Sequence, residues 1–219
     1  MVFKDRADAG RQLARQLVGF ADRPDVIVLG VPRGGVSVAF EGATALHAPL
    51  DVFLSRKLGV PGQPELAFGA VAAGGGRYLD EGLVRSLGIS SAEVERITVE
   101  VRHELDRRAA LYRGARPPLQ IADRIVILVD DGMATGASIY AAVQALRQMQ
   151  PASLIVAVPV APPATWAWLR KFVDEIVCLY LPDKFLAVGE FYEDFTQVED
   201  AEVIEMLRRA EEISAKTES

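Results

Sequence analysis

The sequence has very few of the residues on which metal and thiol chemistry depend. Its 219 residues include one cysteine, Cys178, and two histidines, His47 and His103. A single cysteine cannot form a disulfide within the chain, and its apolar surroundings favour a small buried thiol over a nucleophile. The histidines lack the close spacing of a metal-binding motif, so we expect both to be structural or on the surface.

The chain also lacks an excess of positive charge and any apolar run of membrane-spanning length. It has 24 Lys and Arg against 30 Asp and Glu, a formal net charge of -6, so no basic surface for DNA or RNA is expected. The first residues contain no signal-peptide core, and a cytoplasmic protein without a membrane partner is expected. Because 50% of the residues are hydrophobic, we expect a folded rather than a disordered chain. The length of 219 residues is enough for one α/β domain, which we expect over residues 1–219.

One stretch combines a buried strand, an acidic pair and a loop of small residues. The five apolar residues 125–129 predict a strand buried on both faces, and Asp130 and Asp131 follow it. Apolar residues then recur at helical spacing over 139–149. Between the acidic pair and the helix lie Gly132, Met133, Ala134, Thr135, Gly136, Ala137 and Ser138.

This order of elements predicts a site for a sugar phosphate. The start of a helix offers unpaired N–H groups and the positive end of the helix dipole, and both suit a phosphate. Gly132 and Gly136 let the backbone approach a ligand closely. Thr135 and Ser138 add hydroxyl donors. The two carboxylates would repel the phosphate and instead suit neighbouring hydroxyl groups or a cation, so a ribose 5-phosphate fits the stretch.

Other interpretations explain less of this stretch. A Walker A loop requires a lysine after its last glycine, whereas Gly136 is followed by Ala137 and Ser138. A Walker B strand, or a pair of phospho-acceptor aspartates, accounts for the two carboxylates but not for residues 134–138. A structural turn with an aspartate cap stays open as the remaining alternative.

The stretch resembles the signature of the type I phosphoribosyltransferases. Residues 126–138 follow that family's pattern of four apolar residues, two acidic residues and a loop of the form xxATGxS/T. The resemblance implies that Asp130 and Asp131 hold the ribose 2- and 3-hydroxyls of phosphoribosyl pyrophosphate, and that loop 132–138 holds its 5-phosphate. We expect a doubly wound, mostly parallel α/β sheet, with a small hood within residues 160–200.

A second strand–loop–helix pattern lies near the start of the chain. The apolar run 26–31 predicts a buried strand, a loop from Pro32 to Gly35 follows, and a helix is predicted over 36–46. Backbone N–H groups and an arginine in such a loop suit a second anionic group. Type I phosphoribosyltransferases carry an Arg-Gly or Lys-Gly pair in a pyrophosphate loop here, often with a cis peptide. The resemblance therefore assigns pyrophosphate to Arg33 and Gly34.

Arg56 and Lys57 are the third candidate element of the site. They follow an apolar strand predicted over 50–54, and cations at the carboxyl end of a parallel strand would face the ligand. A solvated turn is the alternative for such a pair. The segment resembles the Arg-Lys segment of adenine phosphoribosyltransferases. That resemblance implies contact of both residues with pyrophosphate and a catalytic role beside Asp130 and Asp131.

Residues 181–195 resemble a segment of the hypoxanthine-guanine phosphoribosyltransferases. In those enzymes a phenylalanine stacks on the purine, and a later aspartate contacts the base or the metal–pyrophosphate end. The resemblance implies acceptor contacts from Phe185 and from Glu193 or Asp194. Ala134 stands where that subfamily carries an aspartate that exchanges a proton with the base. No general base is therefore assigned, and the acceptor base stays open.

The region between Lys57 and the strand at 125–129 is predicted to contain a hairpin and a long helix. Residues 66–73 and 77–79 predict a hairpin around three glycines. A long helix is predicted to begin at Ser90 or Ser91, and only a cap at Ser90 makes a capping box, with Glu93. We expect its charged face to be solvated.

The resemblances together imply a phosphoribosyltransferase. It would use phosphoribosyl pyrophosphate and Mg²⁺ to ribosylate a nitrogen base with release of pyrophosphate, and no protein ligand to the metal is assigned. A homodimer is expected. The second hypothesis is a regulator of the same fold that binds phosphoribosyl pyrophosphate or a nucleotide without turnover. A third, a phosphatase or hydrolase that uses the acidic pair, leaves Arg33 and Gly34 unexplained.

Overall fold

The computed structural model describes residues 2–61 and 63–217. Five of its strands form the central sheet: β1 (Val26–Gly30), β2 (Leu50–Val52), β6 (Ile125–Val129), β7 (Ser153–Val160) and β8 (Glu175–Tyr180). All neighbours are parallel, in the order β2-β1-β6-β7-β8. The predicted mostly parallel α/β class is confirmed.

The strands β1 and β6 lie side by side inside the sheet, and both are buried along their whole length. Because side chains alternate along a strand, Val28 enters one hydrophobic core and its neighbour Leu29 enters the other. Gly30 is in register with Val129, so β1 and β6 end at the same level. The loops that follow these strands therefore begin next to each other.

Helices cover both faces of the sheet. One core receives α1 (Arg6–Gln16), α2 (Gly34–Leu46), α4 (Ser91–Arg113) and α7 (Asp200–Thr217), and the other receives α5 (Ala137–Arg147) and α6 (Pro163–Leu169). This two-sided cover is the predicted doubly wound arrangement. The predicted helix start at Ser90 is confirmed, because its hydroxyl accepts a hydrogen bond from the Glu93 N–H at 3.2 Å.

A second, antiparallel sheet consists of β3 (Ser55–Val60), β4 (Gln63–Ala72) and β5 (Gly75–Leu79), and the short helix α3 (Glu81–Ser86) follows it. The hairpin between β4 and β5 confirms the predicted turn. Gly74 in this turn and Gly76 in β5 have φ values of 71° and 72°, which favour glycine. The sheet packs against α5.

The position predicted for Arg56 and Lys57 was wrong. The strand predicted over 50–54 ends at Val52, and both cations lie inside β3 rather than at the carboxyl end of a parallel strand. The physical reason is pairing with β4, which keeps the chain extended: Arg56 is in register with Val71.

Residues 160–200 contain α6, β8 and a packed segment that includes a 3-10 turn, Val188–Phe191. This segment meets the start of the chain through a parallel bridge between Phe3 and Tyr192. The hood and the span of the domain stay predictions. Within the described residues, no helix has both the length and the apolar character required to cross a membrane.

Gly76→Ala is expected to destabilise the protein more than Gly74→Ala. A Cβ at position 76 would lie 2.6 Å from the carbonyl oxygen of Ala145 in α5, whereas nothing lies within 4 Å of one at position 74. Because the two φ values match, the comparison separates packing on α5 from backbone strain. Urea unfolding should show a difference of about 1–3 kcal/mol in free energy of unfolding. Equal values would mean that the hairpin does not pack closely on α5.

Candidate active site

The two strand–loop–helix units touch at the carboxyl ends of β1 and β6. A Cβ at position 34 would lie 2.0 Å from Oδ2 of Asp131, and one at position 35 would lie 2.8 Å from Oδ1 of Asp130. Glycine alone permits this approach, so Gly34 and Gly35 set the distance between the loops. The predicted pyrophosphate loop and the predicted ribose-binding carboxylates are therefore brought together.

The loop after β1 combines a cation with the start of a helix. The peptide bond between Pro32 and Arg33 is cis, as the resemblance implied. Because α2 begins at Gly34, the N–H groups of its first turn lie beside Arg33. Nη1 of Arg33 lies 3.5 Å from a carboxylate oxygen of Glu199, and the arginine side chain is 30% exposed. This arrangement suits an anionic group.

The loop after β6 is fixed by contacts with its neighbours. The buried Met133 donates its N–H to the carbonyl of Val160 at 2.9 Å, and the carbonyl of Ala134 accepts from the Thr165 hydroxyl at 2.9 Å. Gly136 has a φ of 77° immediately before α5. The loop thus presents four exposed residues around the start of α5: Ala134, Thr135, Ala137 and Ser138.

Burial raises the pKa of both aspartates. For Asp130, loss of solvation raises the pKa well above its ordinary value, and the charge of Asp131 adds to this effect. Loss of solvation also raises the pKa of Asp131, but Arg6 opposes the rise because its Nε donates to Oδ2 at 2.7 Å. The pair therefore carries one negative charge more readily than two.

Arg6, Tyr192 and Phe195 lie around Asp131, and no sequence motif assigned any of them to the acidic pair. Arg6 binds Asp131 from the first position of α1, and its guanidinium lies 3.9 Å from the centre of the Phe195 ring. The Tyr192 hydroxyl donates to the backbone carbonyl of Asp131 at 2.5 Å. These contacts join distant parts of the chain. The one local signal was the aromatic-rich segment 185–195.

Because side chains alternate along a strand, Arg56 and Lys57 lie on opposite faces of β3. Arg56 forms an ion pair with Glu104 on α4. Lys57, in contrast, lines a cavity of about 190 Å³ together with Thr135 and Ala137 of the loop after β6. The structure therefore puts Lys57, rather than Arg56, close to that loop. Contact of either residue with pyrophosphate stays a prediction.

The two predicted acceptor residues lie on the segment that contacts the start of the chain. Phe185 is half-buried and stacks on Phe191, with 5.3 Å between ring centres and 29° between planes. Glu193 is exposed, and its N–H donates to the carbonyl of Phe3 at 2.8 Å. Their role toward an acceptor stays a prediction.

A magnesium ion that arrives with its substrate stays a prediction for this site. In the described part of the chain, no group of three or more His, Cys, Asp or Glu residues could hold a metal ion. Mg²⁺ usually keeps several waters and binds through substrate phosphates rather than in an all-protein cage. Arg33 and the start of α2 would share the charge of the pyrophosphate to which such an ion is bound.

The fold and the site define a class: a doubly wound α/β protein with a glycine-containing loop and an acidic pair at the carboxyl ends of neighbouring strands. A family model described as "Phosphoribosyl transferase domain" matches residues 3–196. The chain belongs to the phosphoribosyltransferase family, as the sequence predicted.

Similar proteins agree with this membership. Two curated Mycobacterium tuberculosis proteins, from strains CDC 1551 and H37Rv and both named "Putative phosphoribosyl transferase", are 46% identical over 209 residues. The match covers 95% of this chain and 47% of theirs, so the chain spans about half the length of the curated relatives it matches. The crystal structure of TT1426 from Thermus thermophilus is 43% identical, with a TM-score of 0.87, over 95% of this chain and 99% of that one.

Gly34→Ala is expected to destabilise the protein and weaken ligand binding, because its Cβ would displace Asp131. Gly42→Ala in the same helix is the control, since nothing lies within 4 Å of a Cβ there. That change should be neutral or stabilising by about 0.5–1 kcal/mol. Thermal unfolding of both variants checks this. Equal unfolding temperatures would contradict the close approach of the two loops.

Asp130→Asn is expected to stabilise the protein at neutral pH. A carboxyl whose pKa is raised in the fold contributes stability below its unfolded pKa and loses it as pH rises through the folded value. The amide cannot ionise, so the advantage of the variant should grow as the pH rises above about 4, the unfolded pKa of an aspartate. Each kcal/mol corresponds to about 2–4 °C in thermal unfolding.

The control for this experiment is Asp25→Asn. Its exposed carboxyl has a lowered pKa, chiefly because Arg23 donates a hydrogen bond to it, so no growing advantage is expected. An Asp130→Asn variant that is less stable than the wild type by the same amount at every pH would contradict the account of a buried charge.

Proposed function

We propose that the chain transfers a 5-phosphoribosyl group from phosphoribosyl pyrophosphate to a nitrogen base and releases pyrophosphate. The observation that supports this most is the contact between the two loops, with Gly34 against Asp131. A loop suited to pyrophosphate lies beside carboxylates suited to hydroxyl groups, and a loop suited to phosphate follows them. Phosphoribosyl pyrophosphate carries its groups in the same order.

In this proposal Asp130 and Asp131 accept hydrogen bonds from the ribose 2- and 3-hydroxyls. They also lie near the positive charge that develops on the ring as the bond from C1 to pyrophosphate breaks. Residues 134–138 bind the 5-phosphate through N–H and hydroxyl groups. Positioning and electrostatics thus supply most of the rate enhancement.

Cations on the other loop receive the leaving group. Arg33 and the first turn of α2 share the negative charge that collects on pyrophosphate. Lys57 reaches the same ligand from β3, and Arg56 does so if it leaves Glu104. Mg²⁺, when bound, neutralises the pyrophosphate further. Phe185 stacks on the base, and Glu193 offers it a hydrogen-bond acceptor.

The second candidate is a regulator that binds phosphoribosyl pyrophosphate or a nucleotide without turnover. Ala134 favours it, because loop 132–138 carries no carboxylate that could exchange a proton with a base. Location in the cytoplasm and assembly as a homodimer stay predictions for either function.

A turnover screen separates the two candidates. The protein is mixed with phosphoribosyl pyrophosphate, Mg²⁺ and a panel of purine and pyrimidine bases, and pyrophosphate release is measured while calorimetry follows binding. The transferase releases pyrophosphate with at least one base. Binding without release on any base would favour the regulator, and no binding would contradict both.

Asp130→Asn combined with Asp131→Asn is expected to weaken binding of phosphoribosyl pyrophosphate about 100-fold or more, because charged acceptors for the diol are lost. The control combines Asp22→Asn with Asp25→Asn, which makes the same two side-chain replacements in an exposed turn before β1. Calorimetry at fixed ionic strength measures both. Equal affinity of the two double variants would place the ribose elsewhere.

A further inference from the structure

Arg6 is held against the acidic pair from several sides. Its Nε donates to Oδ2 of Asp131 at 2.7 Å, and its Nη1 donates to the carbonyl of Thr196 at 2.7 Å. The guanidinium covers the Phe195 ring, 3.9 Å from its centre. The Arg6 and Asp131 side chains are only 11% and 16% exposed, so water screens their ion pair little.

A short frame of backbone hydrogen bonds fixes where α1 begins. The N–H of Phe3 donates to the carbonyl of Phe191 at 2.8 Å, and the N–H of Glu193 donates to the carbonyl of Phe3 at 2.8 Å. Asp5 then caps α1 by accepting from the N–H of Asp8 at 2.7 Å. The residue that follows this cap is Arg6, so its side chain leaves a rigid position.

Arg6 also lies against the loop after β1. A Cβ at position 34 would come within 2.8 Å of its Nε as well as within 2.0 Å of Asp131. The guanidinium therefore lies where the pyrophosphate loop and the acidic pair meet. Its ion pair is with Asp131, and its Nη1 donates to the carbonyl of Thr196 in the segment after Tyr192.

Two carboxylates side by side in a buried place need a cation if one is to stay charged. Burial raises the pKa of Asp131, and Arg6 opposes that rise through its hydrogen bond and its charge, with a smaller contribution from a backbone N–H. The charge of Asp131 in turn raises the pKa of the two groups that face it, Asp130 on the same loop and the Tyr192 hydroxyl. A protonated carboxyl would offer fewer acceptor sites to a diol.

We propose that Arg6 is a positioning residue that keeps the Asp131 carboxylate charged and aimed at the ribose diol of the substrate. This inference rests on the proposed function, because it assumes that the acidic pair binds a sugar diol. Arg6 acts through Asp131, and the leaving group is received by other cations.

The experiment compares Arg6→Gln and Arg6→Lys with the wild type and with Arg11→Gln. Arg11 lies on the same helix, is 53% exposed and pairs with Glu41, so its loss removes one charge without touching the site. Affinity for phosphoribosyl pyrophosphate is measured by calorimetry from about pH 5 to 9. Carboxyl ¹³C NMR follows the titration of Asp130 and Asp131 in the protein without ligand.

We expect the pH at which affinity for phosphoribosyl pyrophosphate falls on acidification to be shifted in Arg6→Gln. For Arg6→Gln the loss of affinity on acidification should begin at higher pH, with binding about 10-fold weaker near pH 6 and within about 2-fold of the wild type near pH 9. The Asp131 carboxyl should titrate at higher pH in this variant. Arg6→Lys keeps the positive charge, so the Asp131 carboxyl should titrate in that variant as it does in the wild type. The same is expected for Arg11→Gln.

Three outcomes would overturn the inference. The first is an Arg6→Gln affinity lowered by the same factor at every pH, which would mark a direct contact with the substrate. The second is an unchanged Asp131 titration in that variant. The third needs no variant: in the wild type, Asp131 titrating at higher pH than Asp130. A wild type that does not bind phosphoribosyl pyrophosphate would instead refute the proposed function, and the NMR titration would still decide the role of Arg6.

Discussion

The site depends on one close contact, between the glycines after β1 and the aspartates after β6. A Cβ would lie 2.0 Å from a carboxylate oxygen of Asp131 at Gly34 and 2.8 Å from one of Asp130 at Gly35, so no larger residue fits at either position. The parallel pairing of β1 with β6 puts both loops at one level. The buried carboxylates then require a cation, which Arg6 supplies from α1. The strand order, the two glycines and the ion pair between Arg6 and Asp131 therefore act together to hold the acidic pair in place.

Much of the core and both loops could be predicted because their signals are local. The apolar run before Asp130 specifies a strand buried on both faces, and the small residues after it specify a loop that leads into a helix. The same applies to the run before Arg33. In each unit the chemically important residues directly follow the strand, so finding the strand was enough to find them.

Residues placed by long-range pairing could not be predicted. Arg56 and Lys57 read as a loop after a parallel strand, but pairing with β4 drew them into an antiparallel sheet and turned them in opposite directions. Arg6 belongs to none of the motifs that the sequence shows. Its role follows from the contact of the chain start with the segment around Tyr192, almost 190 residues later, which no short pattern records.

One molecule of phosphoribosyl pyrophosphate is expected to span both loops. A crystal structure of the protein with phosphoribosyl pyrophosphate and Mg²⁺ tests this. We expect ribose hydroxyls about 3 Å from the carboxylates of Asp130 and Asp131, the 5-phosphate on residues 134–138 and the pyrophosphate beside Arg33. A pyrophosphate bound on residues 134–138, or a ribose away from both aspartates, would contradict it.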